Sequence, residues 1–197
     1  MVPFVENDGV HGGPESPRLS ASERCAALYI ERGTADITIA EIASEVGISQ
    51  RTFYRYFPTK AESIAPLFDW TTRRFDEAVI ESPADSDLLD VLRAAFRASL
   101  GGEVASRTRS LFPLVFVEPE LWSVFLRKVH DGERALAPLL AVRLGVDPSE
   151  VAARAVAAAV ASSTRIALEV MVTTGADAEQ VYLQTLDAFA PQILRHR

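Results

Sequence analysis

The amino-acid sequence predicts an all-α fold of about nine helices. Three observations predict it. From Arg18 onward, apolar residues recur at three- and four-residue intervals almost throughout. No segment alternates apolar and polar residues as a half-buried strand would. Capping and stop residues punctuate the periodic stretches at helical lengths.

Residues 1–17 hold three Gly and three Pro with no apolar period, and read as a disordered tail. A first helix is expected over about 20–32, with Ala26, Ala27, Leu28, Tyr29 and Ile30 on its apolar side and Gly33 as its stop. Thr38-Ile39-Ala40-Glu41 is a capping box, in which hydroxyl and carboxylate satisfy orphan backbone donors; it opens a second helix that ends near Glu45. Val46-Gly47-Ile48 reads as a tight turn with Gly47 free to take a positive φ. Ser49 caps a third helix through about Tyr56, and Pro58 ends it.

Thr59-Lys60-Ala61-Glu62 is a second capping box, opening a fourth helix to about Glu81. Pro66 within it removes one hydrogen bond, as a flexible joint or as a tolerated kink near a helix start. Three further helices are expected over about 86–100, 103–112 and 118–144, the last with Pro138 as a kink or break. Asp147-Pro148-Ser149-Glu150 combines an N-cap, a Pro and an acid at the start of a helix that Gly175 stops. Asp177 caps a final helix to about Leu194.

Composition narrows the function classes. In 197 residues, 48% are hydrophobic and 24% charged, enough to bury a core. Charge-free stretches fall well short of the ~20 apolar residues that span a bilayer, so no membrane role is expected. The start of the chain has no basic, then apolar, secretory pattern, and the single Cys25 forms neither an internal disulfide nor a zinc site. These features point to the cytoplasm.

The net charge of −7 argues against nucleic acid bound over the whole surface. The charge is uneven, however. Residues 18–60 carry six cations and five acids, whereas 61–197 carry 14 cations and 19 acids. Arg51, Arg55 and Lys60 fall within ten residues that hold no acid.

Residues 38–60, TIAEIASEVGISQRTFYRYFPTK, read as a helix-turn-helix. Ile42, Ala43, Val46 and Ile48 are expected inside, and Phe53 and Phe57, four apart, share one buried face. The opposite face then carries Gln50, Arg51, Thr52, Tyr54, Arg55 and Tyr56, donors and acceptors suited to phosphates and base edges.

In Ile42-Ala43, Val46-Gly47-Ile48-Ser49, Thr52-Phe53-Tyr54-Arg55-Tyr56-Phe57 and Lys60, the chain resembles TetR/AcrR-type transcriptional regulators. The motif covers about 40 residues; beyond it, only helix count and chain length match. The resemblance implies a three-helix DNA-binding head at 18–60 and an effector-binding and dimerisation body at 61–197. It further implies a homodimer on double-stranded, palindromic operator DNA, released by a small effector. Thr38 then falls where a helix N-terminus meets a phosphate. Ser49 caps the recognition helix, and Gln50, Arg51 and Thr52 stand where base edges are read. Tyr54 and Tyr56 match positions touching phosphate or thymine methyls, and Lys60 matches a phosphate contact.

In the body, Phe68, Trp70, Phe75, Phe96, Phe112, Phe116, Trp122 and Phe125 are candidate lining for an apolar effector pocket, or plain core. Arg109, His130 and Glu169 read as surface or dimer-edge residues. An Ala-rich stripe over 152–161 and the row Tyr182, Leu186, Phe189, Ile193 suit a four-helix interface between two copies, or burial within one subunit. No Gly-rich phosphate loop, His-Glu-x-x-His, Gly-x-Ser-x-Gly or Cys pair is present, and His11, His130 and His196 lie far apart, so no enzyme, cofactor or metal is expected. The alternative is a helical small-molecule-binding or scaffold protein whose head no longer reads DNA.

Overall fold

The computed structural model describes residues 16–189. The elements follow as α1 (Pro17–Arg32), α2 (Ile39–Glu45), α3 (Gln50–Tyr56), a 3-10 turn (Ala61–Ile64), α4 (Ala65–Glu81), α5 (Leu88–Ser99), a second 3-10 turn (Gly102–Val104), α6 (Ala105–Val117), α7 (Pro119–Leu144), α8 (Val151–Thr174) and α9 (Ala178–Phe189). The fold is all-helical, with nine α-helices among the described residues.

Several boundaries differ from the sequence expectations, each for a local reason. α1 starts earlier than 20, because Ser16 accepts the Leu19 N–H and Pro17 needs no partner at the first helical position. The expected tail 1–17 otherwise lies outside the described residues, as does the end of the last helix beyond Phe189 with Ile193 and Leu194. Ala27 is exposed rather than on the packed side of α1.

The fourth helix does not open at Thr59. Thr59 Oγ1 does accept the Glu62 N–H at 3.2 Å. An α-helical Glu62 carbonyl would then await the N–H of residue 66, which is Pro66 and has none. That carbonyl takes the Ala65 N–H instead, so the chain makes a 3-10 turn before α4 begins, and Pro66 sits harmlessly in its first turn.

α6 runs past the expected end at Phe112 and through Pro113 to Val117. Pro113 and Arg109 are both exposed, so water can serve the carbonyl that Pro113 leaves without a donor. α7 likewise continues through the exposed Pro138. α8 starts later than Asp147, because the Asp-Pro-Ser-Glu segment closes on itself. The Asp147 N–H donates to Glu150 Oε1 at 3.1 Å, and the Ser149 N–H donates to Asp147 Oδ1 at 2.8 Å.

Two cores result. The first joins α1–α3 to α4, α6 and α7 through Tyr29, Ile42, Phe53, Phe57, Ile64, Phe68, Phe112, Leu121 and Phe125, so the N-terminal helices and the body share one continuous apolar interior. The second lies farther along α4, with Val79, Leu92, Phe96, Leu140, Val160, Tyr182 and Leu186. Phe96 stacks on Tyr182 with ring centroids 4.5 Å apart. Of the stripe expected either between two copies or inside one subunit, Tyr182 and Leu186 are buried inside the subunit, whereas Phe189 is 53% exposed.

α8 is long and apolar enough, by length and composition, to cross a membrane. It also carries Arg154 and an Arg165–Glu169 ion pair at 2.6 Å, and it buries Val156, Val160, Ser163, Ala167 and Leu168 against its neighbours. Those are features of an amphipathic core helix.

Candidate nucleic-acid interface

The first three helices brace one another through identifiable bonds. Thr38 caps α2: its Oγ1 accepts the Glu41 N–H at 3.2 Å, and Glu41 Oε2 accepts the Thr38 N–H at 3.0 Å. Gly47 makes the turn at φ +69°, a conformation that costs other residues ~1–2 kcal/mol. Arg24 on α1 reaches across to donate from Nε to the Val46 carbonyl at 2.9 Å, tying the turn to the first helix. Ser49 then caps α3 by accepting the Thr52 N–H at 3.1 Å.

Burial orients α3. Phe53 and Phe57 are fully buried and meet edge to face, centroids 5.1 Å apart. This turns Gln50, Arg51, Tyr54 and Arg55 to solvent. Tyr54 is 55% exposed, its ring edge-on to Phe53 at 6.1 Å. Arg55 lies over the ring of the half-buried Tyr56 at 5.2 Å. Among the described residues, no internal hydrogen bond or ion pair holds the side chains of Gln50, Arg51 or Tyr54. They form an outward row on a short helix anchored by two buried rings.

The remaining sequence-selected residues are already partly engaged. Thr38 Oγ1 donates to Glu41 Oε2 at 2.6 Å, so the α2 N-terminus, where the resemblance puts a phosphate, already holds a carboxylate. Those Thr38 bonds hold the Glu41 carboxyl below its usual range. Ser49 Oγ and Thr52 Oγ1 are paired at 3.0 Å. Lys60 faces Asp36 at a loose 3.9 Å, its own side chain about one quarter exposed.

Sequence reasoning missed the groups that fasten this head to the body. Ser63 is fully buried: its carbonyl accepts the Ser22 hydroxyl at 2.5 Å, and its own Oγ pairs with the buried Tyr29 hydroxyl at 2.9 Å. Burial pushes the Tyr29 phenol far above its usual range and the Cys25 thiol up to about 11, so both stay neutral. Glu62 is ion-paired with Arg127 of α7, and Arg107 of α6 reaches Glu23 at 3.5 Å while lying over the Trp70 ring at 5.1 Å.

In the body, a chamber of about 90 Å³ lies between α4, α6, α7, α8 and the end of α5. Phe68, Phe75, Phe112 and Phe125 line it, with Leu136 and Val160. Four other candidate aromatics do not. Phe96 belongs to the second core, Trp70 lies under Arg107, and Phe116 and Trp122 contact each other at 5.1 Å beside the first core. Arg109 and His130 are exposed, and Glu169 pairs with Arg165. The chamber also contains Asp76, which the sequence reading passed over. The available signal was a carboxylate beside Phe75 and eight residues beyond Phe68, on the inward arc of α4.

Comparison with known proteins agrees with this architecture. Residues 23–62 match the family model for bacterial regulatory proteins of the tetR family, and residues 86–194 match the model of the MftR C-terminal domain. The chain is 31% identical over 128 residues to the HTH-type transcriptional regulator TcmR of Streptomyces glaucescens, covering 61% of this chain and 57% of that protein. It is 35% identical over 122 residues to the HTH-type transcriptional regulator EthR of Mycobacterium tuberculosis, covering 54% and 56%. The matches thus span a little over half the length of these relatives. The fold resembles the crystal structure of the TetR family repressor AlkX from Dietzia, with TM-score 0.62, 21% identity and coverage of 92% and 97%. By its helix-turn-helix, its helical body and these matches, the chain belongs to the TetR family of bacterial transcriptional regulators, a family of regulators and not of enzymes.

Proposed function

We propose that this protein is a cytoplasmic, homodimeric repressor that occupies a palindromic operator and leaves it when a small, largely apolar effector fills the body chamber. In this reading 18–60 is the DNA-binding unit and 61–197 the effector-binding and dimerisation unit. The observation that carries it is the outward row Gln50, Arg51 and Tyr54, without polar partners among the described residues, on a helix anchored by the buried Phe53 and Phe57 and preceded by a turn that Arg24 ties to α1. Such a row in the major groove supplies base and phosphate contacts, with Tyr56, Thr52 and Lys60 on its flanks. Two copies set about one DNA turn apart, roughly 34–36 Å, would read two half-sites.

Release follows from population shift: an effector that fits the chamber better when the heads are wrongly spaced draws the protein off DNA. The chamber and the head are adjacent in the chain of contacts. Lys128 lines the chamber, and its neighbour Arg127 holds Glu62 in the turn that follows α3. The test is a salt-titrated binding assay with duplex from upstream of the protein's own gene, repeated with candidate effectors. Specific binding that falls on effector addition supports the reading; affinity equal to that for random duplex refutes it.

One observation favours a second reading, in which the head does not read DNA. Glu41 places a carboxylate at the α2 N-terminus, on a head of near-neutral charge in a chain of −7. That reading expects ligand-induced thermal stabilisation with no salt-dependent DNA binding.

A further inference from the structure

The chamber is apolar in its walls but not at its mouth. It shares Thr72, Asp76, Lys128 and Gly132 with an outer groove of about 380 Å³ between α4 and α7. At this junction the two helices run close, because Gly132 has no side chain. A Cβ there would meet Thr72 Oγ1 and Cγ2 at 3.4 Å.

The charges around the junction are lopsided. Asp69, Arg73, Asp76 and Glu77 face it from α4, and Lys128, Asp131 and Glu133 from α7; α5, α6 and α8 contribute none. Lys128 is already shared, its Nζ lying 2.7 Å from Asp69 Oδ1 and 3.9 Å from Asp131 Oδ2. Asp76 has no ion pair or hydrogen bond among the described residues. Burial raises its carboxyl to about 6, with Glu77 beside it adding to the effect.

The chamber's hydroxyl donors are mostly spent on their own helices. Thr71 donates to the Phe68 carbonyl at 2.8 Å, Thr164 to that of Val160 at 2.9 Å and Ser99 to that of Phe96 at 3.2 Å. An anion entering here would therefore meet Asp76 and Glu133 with few free donors. A neutral apolar molecule would cover Asp76 and leave its charge without a partner, which is costly. A cation would complete the carboxylate while its apolar part fills the walls.

We propose that the chamber selects a small organic cation, a protonated amine on an apolar body, with its ammonium on the Asp76 carboxylate and its apolar part against Phe68, Phe75, Phe112 and Phe125. This rests on the reading of the chamber as the effector site and narrows the effector to a chemical class. The chamber of about 90 Å³ opens beside Asp76 into the outer groove of about 380 Å³, so a flexible alkyl amine that spans the junction, with its ammonium at Asp76, suits the two together.

The test is calorimetric titration of the full chain at pH 7.5 with n-hexylamine, 1-hexanol and hexanoate, on the wild type, Asp76→Asn and Ala161→Phe. Ala161 lines the chamber on α8, so a Phe there fills it. The expected result is amine binding at least tenfold tighter than the alcohol, and the acid weakest. Asp76→Asn should bring the amine to the alcohol's level, and Ala161→Phe should abolish binding of both. Hexanoate or hexanol binding as tightly as the amine, on the wild type alone, would overturn the charge assignment while leaving the chamber an effector site. So would an amine preference that survives Asp76→Asn. Amine binding untouched by Ala161→Phe would put the amine outside the chamber and overturn the proposal. If none of the three probes binds, the effector-site reading falls together with it.

Discussion

Arg127 on α7 is ion-paired with Glu62 in the 3-10 turn that closes the head, one residue before Lys128, whose side chain lines the body chamber. Two adjacent residues thus touch the turn that follows the helix-turn-helix and the cavity. Arg127 is 49% exposed, so the pair itself is worth ~1 kcal/mol or less to stability. Its expected role is in coupling. Arg127→Met should leave the melting temperature nearly unchanged, yet shrink the change in DNA affinity that n-hexylamine produces. DNA titrations with and without the amine measure this, and an unchanged amine effect would remove Arg127 from the route.

The outward face of α3 makes a separate prediction. Arg51→Ala and Tyr54→Ala should each weaken specific DNA binding by about 1–3 kcal/mol. Arg51→Ala should not lower thermal stability, since the side chain is exposed and lacks internal polar partners, and Tyr54→Ala should lower it by no more than its edge contact with Phe53 contributes, about 0.5–1.5 kcal/mol. Lys60→Ala should weaken all sequences alike and reduce the salt slope by about 1, because a phosphate contact carries no base information. Fluorescence anisotropy over a salt series separates the two behaviours.

The brace behind that face should respond in the opposite way. Phe53→Ala removes a fully buried ring from the shared core and should cost about 3–5 kcal/mol. Ser63→Ala leaves the buried Tyr29 hydroxyl without its partner and should cost about 1–3 kcal/mol. Denaturant melts monitored by far-ultraviolet circular dichroism would show both.

Asp76 gives a pH dependence whose sign can be worked out. Its folded-state pKa of about 6 lies above the ordinary carboxylate value near ~3.9. The folded protein therefore holds this proton more tightly than the unfolded chain does. Its contribution to stability is fully present below pH ~4 and is lost as pH rises through about 6. At pH 7.5, Asp76→Asn should be more stable than the wild type by on the order of 1 kcal/mol, once solvent screening at the mouth is allowed for, and should melt higher accordingly. The difference should vanish near pH 4. A variant that melts lower at pH 7.5 would contradict the absence of a cation partner.

Much of the head was legible because its signals are local. Thr38 and Glu41 complete a capping box within four residues, Gly47 marks the turn, and Phe53 with Phe57 defines the buried face. What escaped depends on competition between neighbours or on distant contacts. The second capping box looks like the first, but Pro66 withholds the N–H that the Glu62 carbonyl needs, and a 3-10 turn results. Asp147 and Glu150 look like a helix start and instead bond to each other. Phe96 and Phe112 are alike in sequence, each an aromatic in an apolar stripe. Only the packing of α5 on α9 puts Phe96 against Tyr182, while α6 delivers Phe112 to the chamber. The bonds of Ser63 and Arg127 cross 34 and 65 residues, beyond any local pattern.

The most direct measurement is the ratio of affinities of the purified full chain for duplex from upstream of its own gene and for a scrambled duplex of equal length, at one fixed near-physiological salt concentration. A ratio of 10³ or more, collapsing in Arg51→Ala at unchanged melting temperature, is the predicted result. A ratio of one, or a wild-type ratio kept intact by Arg51→Ala and Tyr54→Ala together, would mean that the outward row of α3 does not read DNA.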